Sequence, residues 1–163
     1  MPRVWIRNSS GGTWTHCSTS VPILVPERRH QRGLLDTSVV IALSSIEASQ
    51  LPEEGAISAI TFAELSAGPH ATEDLDERAR RQDRLQRVET TFDPIPFDGA
   101  AARAYGRVYA SVVAAGGKAR GRRALDLLIA ASALALELPL YTCNPADFAS
   151  LGDLLEIVIV NSA

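Results

Sequence analysis

Four carboxylates, Asp36, Glu64, Asp126 and Asp147, are the residues of this chain whose type and placement could do chemistry. Each falls where a strand gives way to a helix, or in the first turns of a helix, so an α/β fold could bring all four to one sheet edge. Neighbouring strands run ~4.8 Å apart, so acids on adjacent elements would nearly touch. Two such charges ~4 Å apart repel by about 4 kcal/mol at an effective dielectric of 20. A group of four therefore either takes up protons or holds a cation. All-oxygen ligands suit Mg²⁺ or Mn²⁺, and Mg²⁺ usually keeps waters and shares its shell with a substrate phosphate. A cation held there could lower the pKa of a bound water and neutralise charge on a phosphate.

Taken singly, three of the acids also have a local explanation. Asp36 precedes a helix and can serve as its N-cap. Thr61-Phe62-Ala63-Glu64 fits a capping box, and Asn144-Pro145-Ala146-Asp147 reads as a cap, a proline at the first helical position and an acid in the first turn. Asp126 resists this treatment. It is the only charge between Ala124 and Glu137 in a segment that is apolar nearly all the way round, as in a helix packed on several sides. A carboxylate there needs a partner, Arg122 or Arg123, or a cation.

The elements that must position these acids alternate. Leu34-Leu35-Asp36 reads as the end of a buried strand at 33–36, and the hydroxyls of Thr37-Ser38 lead into a helix at about 38–48. Further strands are expected at 56–59, 94–97, 139–143 and 155–160, with helices at 61–67, 73–91, 98–115, 123–138 and a short one from Pro145. Gly68-Pro69 stops the second helix. Five short strands separated by helices predict an α/β fold with a mostly parallel sheet. Residues 1–32 hold Gly11-Gly12, three prolines and no sustained period, and read as a loosely ordered extension before a single domain at 33–163.

Four segments, Leu34 to Ile41, Ile60 to Leu65, Arg123 to Ala133 and Leu140 to Phe148, stand in the order and at the intervals of the motifs of PIN-domain ribonucleases, and the chain most resembles the VapC-type toxins of that family. The resemblance covers about residues 33–161 and leaves out the first 32. It implies a three-layer α/β/α sandwich around a mostly parallel five-stranded sheet, a divalent metal held by the acids, and endoribonuclease activity. On it, Asp36, Glu64, Asp126 and Asp147 match the acidic positions, with Asp36 and Asp126 the foremost ligands. Thr37 and Ser38 match the small polar pair after the first acid, and Thr142 and Asn144 the polar residues before the last. It further implies a homodimer and a cognate antitoxin whose peptide covers the acid cleft.

Lys118, Arg120, Arg122 and Arg123 form a glycine-basic loop ahead of the third acid, where they could hold an RNA backbone, or lie as a solvated loop. The spacing is not that of a P-loop. Arg78, Arg80, Arg81, Arg84 and Arg87 are interleaved with Glu73, Asp74, Asp76, Glu77 and Asp83, which reads as a solvated helix face or else a partner surface. Tyr105, Val108, Tyr109, Val112 and Val113 form an apolar stripe, core or dimer seam. His16 and His30 fall in the extension and His70 beside the Gly-Pro stop, so no histidine is placed as a base.

Composition bounds these readings. At 163 residues with 46% hydrophobic content, one ordinary core is affordable. No apolar run approaches a membrane span, and two distant cysteines, Cys17 and Cys143, suggest neither a disulfide framework nor a metal knuckle, so a cytoplasmic setting is expected. Residues 1–33 carry five arginines and one glutamate, whereas residues 34–163 carry 11 basic and 18 acidic groups. A domain this acidic needs a local basic patch or a bound cation to approach RNA. A receiver domain is disfavoured because Lys118 is the only lysine, and an Asp-x-Asp phosphatase because Ser38 stands where its second acid would be. The remaining alternative is a catalytically idle module that binds metal, RNA or a protein partner.

Overall fold

In the computed structural model, the described residues are 6–7, 29–117, 121 and 123–162. Five strands form one sheet: β1 (Ile6–Arg7), β2 (Arg32–Leu35), β3 (Glu54–Ala56), β4 (Leu140–Thr142) and β5 (Ile157–Ile159). Their order across the sheet is β1-β3-β2-β4-β5, with β1 antiparallel to β3 and the other four strands parallel. The fifth strand is therefore Ile6–Arg7 and not the segment at 94–97. Ile95 makes only a bridge to Ser58, because Pro94 and Pro96 have no N–H to extend a ladder.

The helices are α1 (Thr37–Ala42), α2 (Ala59–Ala67), α3 (Leu75–Thr91), α4 (Gly99–Ala114) and α5 (Arg123–Ala135). Helix α1 is shorter than expected, giving way to a 3-10 turn at Leu43–Ser45. Helix α3 starts where the Asp74 side chain accepts from Glu77 N, and α4 where Asp98 accepts from Ala100 N and Ala101 N. Helix α4 ends in a Schellman turn: Gly116, at φ +73°, supplies the left-handed residue, and Gly117 N donates back to Val112 O.

Successive residues of a strand face opposite sides, and this divides the core. Leu34 and Leu140 enter one apolar cluster with Ala104, Val108 and Val112 of α4 and Leu127 of α5. Leu35 and Tyr141, their immediate neighbours, enter a second cluster with Val39 and Val40 of α1, Leu65 of α2, and Leu85 and Val88 of α3. Helices thus cover both faces, as the three-layer expectation required. The stripe at Val108 and Val112 is core, while Tyr109 and Val113 remain exposed.

Residues just ahead of β2 are tied to this sheet. Arg29 donates to Leu51 O and Pro52 O, and His30 Nδ1 lies 2.9 Å from the Tyr141 hydroxyl. His30 Nε2 meets Glu156 at 3.1 Å. Burial pushes the Tyr141 phenol above its ordinary range, partly offset by a hydrogen bond from the His30 backbone. The Tyr141 ring lies so close to Gly33 that a Cβ there would sit 2.4 Å from ring carbon Cε2. Gly33→Ala should therefore lower the unfolding free energy by about 1–3 kcal/mol through overpacking. Gly106→Ala, whose Cβ meets open space within α4, should leave it unchanged or raise it by about 0.4–1 kcal/mol. Urea denaturation of the two variants checks the contrast.

Candidate active site

The chain leaves central strand β2 for β3 on one side and later returns to β4 on the other, so the connections diverge above the carboxyl end of β2. Ligand crevices of open α/β sheets lie at such switch points. Asp36 stands there, its N–H donating to Tyr141 O at 2.9 Å. It is only 5% exposed. Although it occupies the N-cap position of α1, its side chain makes no capping bond. Instead its Oδ2 accepts from Ser38 Oγ at 2.6 Å and from Thr142 Oγ1 at 2.9 Å.

The backbone enforces that arrangement. Ser38 Oγ accepts the Cys143 N–H at 3.0 Å, and Thr142 Oγ1 accepts the Asn144 N–H at 3.0 Å. With a backbone donor on each oxygen, each hydroxyl is left to give its one proton to the carboxylate. Among the described residues both of these bonds end on Oδ2, so Oδ1 keeps its lone pairs for a ligand. Burial pushes the adjacent Cys143 thiol above its ordinary range, the Ser38 bond opposes that, and the Asp36 carboxylate adds to the rise.

Glu64 comes from the middle of α2. The N-cap of that helix is Ser58, whose hydroxyl accepts from Thr61 N, so Thr61 to Glu64 is not a capping box. The carboxylate of Glu64 accepts from Thr37 Oγ1 at 2.5 Å, joining α2 to the first turn of α1. Asp126 lies in the first turn of α5, whose Leu127, Ile129, Ala130, Ala131, Ser132 and Ala133 are buried, as its nearly continuous apolar run required. Asp147 sits in a 3-10 segment, Pro145–Leu151, whose preceding Asn144 makes no side-chain capping bond.

All four acids, with Thr37, Ser38, Arg123 and Asn144, line one open cleft of about 600 Å³. Thr142 supports it from beneath through Asp36. Arg123 brings a cation to the wall, and its buried Nε has no hydrogen-bond partner. Lys118, Arg120 and Arg122 lie outside the described residues. The acids share a cleft without closing into a cage: among the described residues, no three His, Cys, Asp or Glu side chains are gathered closely enough to hold a metal by themselves. An all-oxygen, open donor set of this kind fits a hard cation that completes its shell with water and substrate phosphate, and does not fit a soft one. The expectation had overlooked Ile41, which is 47% exposed on the cleft lip. An apolar residue near the end of a short helix is the only sequence signal for it.

A family model described as PIN domain matches residues 33–154. The chain is 35% identical over 131 residues to Ribonuclease VapC5 of Mycobacterium tuberculosis, a match covering 78% of this chain and 93% of that protein. It is 42% identical over 102 residues to Ribonuclease VapC8 of the same species, covering 62% of this chain and 89% of that one. The solved structure of VapBC-5 from M. tuberculosis, a member of the VapBC family of toxin-antitoxin systems, superposes with a TM-score of 0.69 at 34% identity, over 80% of this chain and 98% of that chain.

Thr142→Val keeps the shape of the side chain but removes both the donor to Asp36 and the acceptor for Asn144 N–H. It should lower the unfolding free energy by about 1–3 kcal/mol. In a double-mutant cycle with Asp36→Ala the two changes should couple by at least about 0.5 kcal/mol. Strict additivity in urea denaturation would mean that Thr142 does not hold Asp36.

Proposed function

The chain belongs to the PIN-domain family, and on that premise we propose that it is a divalent-metal-dependent endoribonuclease acting in the cytoplasm as the toxin of a toxin–antitoxin pair. The observation that carries this reading is the convergence of Asp36, Glu64, Asp126 and Asp147 on one cleft from four separate elements. Its similarity to proteins named Ribonuclease VapC and to the toxin–antitoxin complex VapBC-5 supplies the substrate class and the kind of partner. The stripe of Tyr109 and Val113 on α4 is available to a second copy of the chain, and the acid cleft to an antitoxin peptide.

Asp36 and Asp126 would hold Mg²⁺ or Mn²⁺, with Glu64 and Asp147 bound directly or through water. When bound, the cation neutralises charge on the scissile phosphate and makes a water acidic enough to be deprotonated near neutral pH. The remaining work falls to the chain itself. Ser38 and Thr142 keep Asp36 in one orientation, and Thr37 does the same for Glu64. Arg123, on the cleft wall, supplies a positive charge to a phosphate oxygen. Asp147, which also lines the cleft, takes the proton of the attacking water.

Asp126→Asn should reduce cleavage of single-stranded RNA by more than the roughly 10–100-fold that loss of even an outer-shell partner of a metal site costs. EDTA should stop the wild-type reaction and added Mg²⁺ restore it. Wild-type rates from a folded Asp126→Asn chain, or cleavage in EDTA, would refute the assignment. RNA that is bound with Mg²⁺ but never cut would identify an idle binding module.

A further inference from the structure

Helix α3 carries five arginines, and the fold sorts them into two sets. Arg80 and Arg81 both donate to Glu77, Arg81 most strongly, and hold its carboxyl below the usual range. Arg78 donates to Thr72 O. The guanidinium groups of Arg84 and Arg87, by contrast, make no hydrogen bond or ion pair among the described residues. They line a groove of about 470 Å³ between α1 and α3, floored by Val40, Leu43, Val88 and Phe92. No acid lines it.

This groove adjoins the acid cleft. Ile41 lines both, and a further depression that shares residues with each is lined by Thr37, Ile41, Glu64, Glu77, Arg81 and Arg84, with Glu77 already paired to Arg80 and Arg81. Thr37 is at the cleft, Ile41 one helical turn along α1, and Leu43 and Ser44 about half a turn further. At ~1.5 Å rise per residue, the path from Thr37 to Ser44 is about 10 Å, comparable with two nucleotide steps at the ~6 Å per residue of an extended strand, roughly twice the rise of a paired one. Arg84 stands at the near step and Arg87 at the far one.

We infer that the α1–α3 groove is a track for single-stranded RNA leading away from the cut site, with Arg84 and Arg87 holding successive phosphates and bases resting on the apolar floor. This inference rests on the ribonuclease reading of the neighbouring cleft. Two features favour RNA as the occupant. The free charges are cations on a domain that is otherwise acidic, and the groove lies beside the acid cleft, with Ile41 lining both. Arginine is suited to phosphate because its fork is fixed and permanently charged. Glutamine at these positions would keep much of the side-chain stem and remove only the charge.

The test measures binding of a labelled 12-nucleotide single-stranded RNA to the full chain carrying Asp126→Asn, which leaves the RNA intact, at several KCl concentrations. Adding Arg84→Gln and Arg87→Gln should weaken binding at least tenfold and make the log–log salt slope shallower by about 1.4, the value for two phosphate contacts on a single strand. Arg78→Gln with Arg80→Gln removes the same charge from the same helix outside the groove. That pair should shift the slope by less than half as much. Circular dichroism and urea denaturation verify that each variant is folded. Equal slopes for the two pairs would overturn the track, and an unchanged slope together with weaker binding of an acidic peptide would give the groove to a protein partner instead. If the wild-type chain cuts no RNA, both this inference and the reading it rests on fail; if it cuts RNA but the slope does not respond to Arg84 and Arg87, only the track fails.

Discussion

A carboxylate that is 5% exposed at the end of a parallel strand is the condition around which the rest of this molecule is arranged. Left alone, the buried charge of Asp36 would cost several kcal/mol. Two hydroxyls answer it, and both are themselves fixed by backbone N–H groups of the chain leaving β4. The acid at the end of one strand is thus held by the segment that follows its neighbour. This works only if β2 and β4 are adjacent and parallel in the observed register, Leu35 opposite Tyr141. Sheet order and site geometry are one requirement.

The same requirement shapes the two cores. Because strand residues alternate in direction, Leu34 and Leu35 anchor opposite layers, and Leu140 and Tyr141 repeat the division one strand over. Helix α5 packs on the first layer with nearly every side buried, which fixes its N-terminal turn and carries Asp126 to the cleft. Helices α1 and α2 belong to the second layer and bring Thr37 and Glu64 together. The cleft therefore receives acids from both faces of the sheet. Their mutual repulsion is relieved by the openness of the site, by Arg123 on its wall, and, on the proposed reading, by the cation.

Charge is distributed with the same economy. Residues 34–163 are acidic overall, yet the two α3 arginines whose guanidinium groups have no partner among the described residues line one groove next to the acids. Arg80 and Arg81 are absorbed by Glu77, and Arg81 further by Gly68 O. Sequence spacing alone left all five arginines of α3 as one solvated face or else a partner surface. Their partners distinguish them: Arg80 and Arg81 meet Glu77, whereas Arg84 and Arg87 line a groove with apolar residues of α1 and α3.

Most of the element order could be read from the chain, because hydrophobic periodicity, proline, glycine and capping residues act within a few positions of one another. The strand at β2, the buried α5 and the stop at Gly68-Pro69 are signals of that range. The exceptions follow from the same limit. Ile95 looked like a strand residue locally but has prolines on both sides, and Ile6–Arg7 is too short to carry a period and exists as a strand only because the edge of β3 is there to pair with. The acids themselves were legible, but their surroundings were not. Asp36 and Asp147 looked like helix-start chemistry and Glu64 like half of a capping box. Only the tertiary structure decided that Asp36 is held by Thr142, 106 positions away, and Glu64 by Thr37, 27 positions away. A side chain's local sequence sets which bonds it can make, whereas the sheet register and helix packing set which partner arrives within 3 Å, and that is a property of the whole fold.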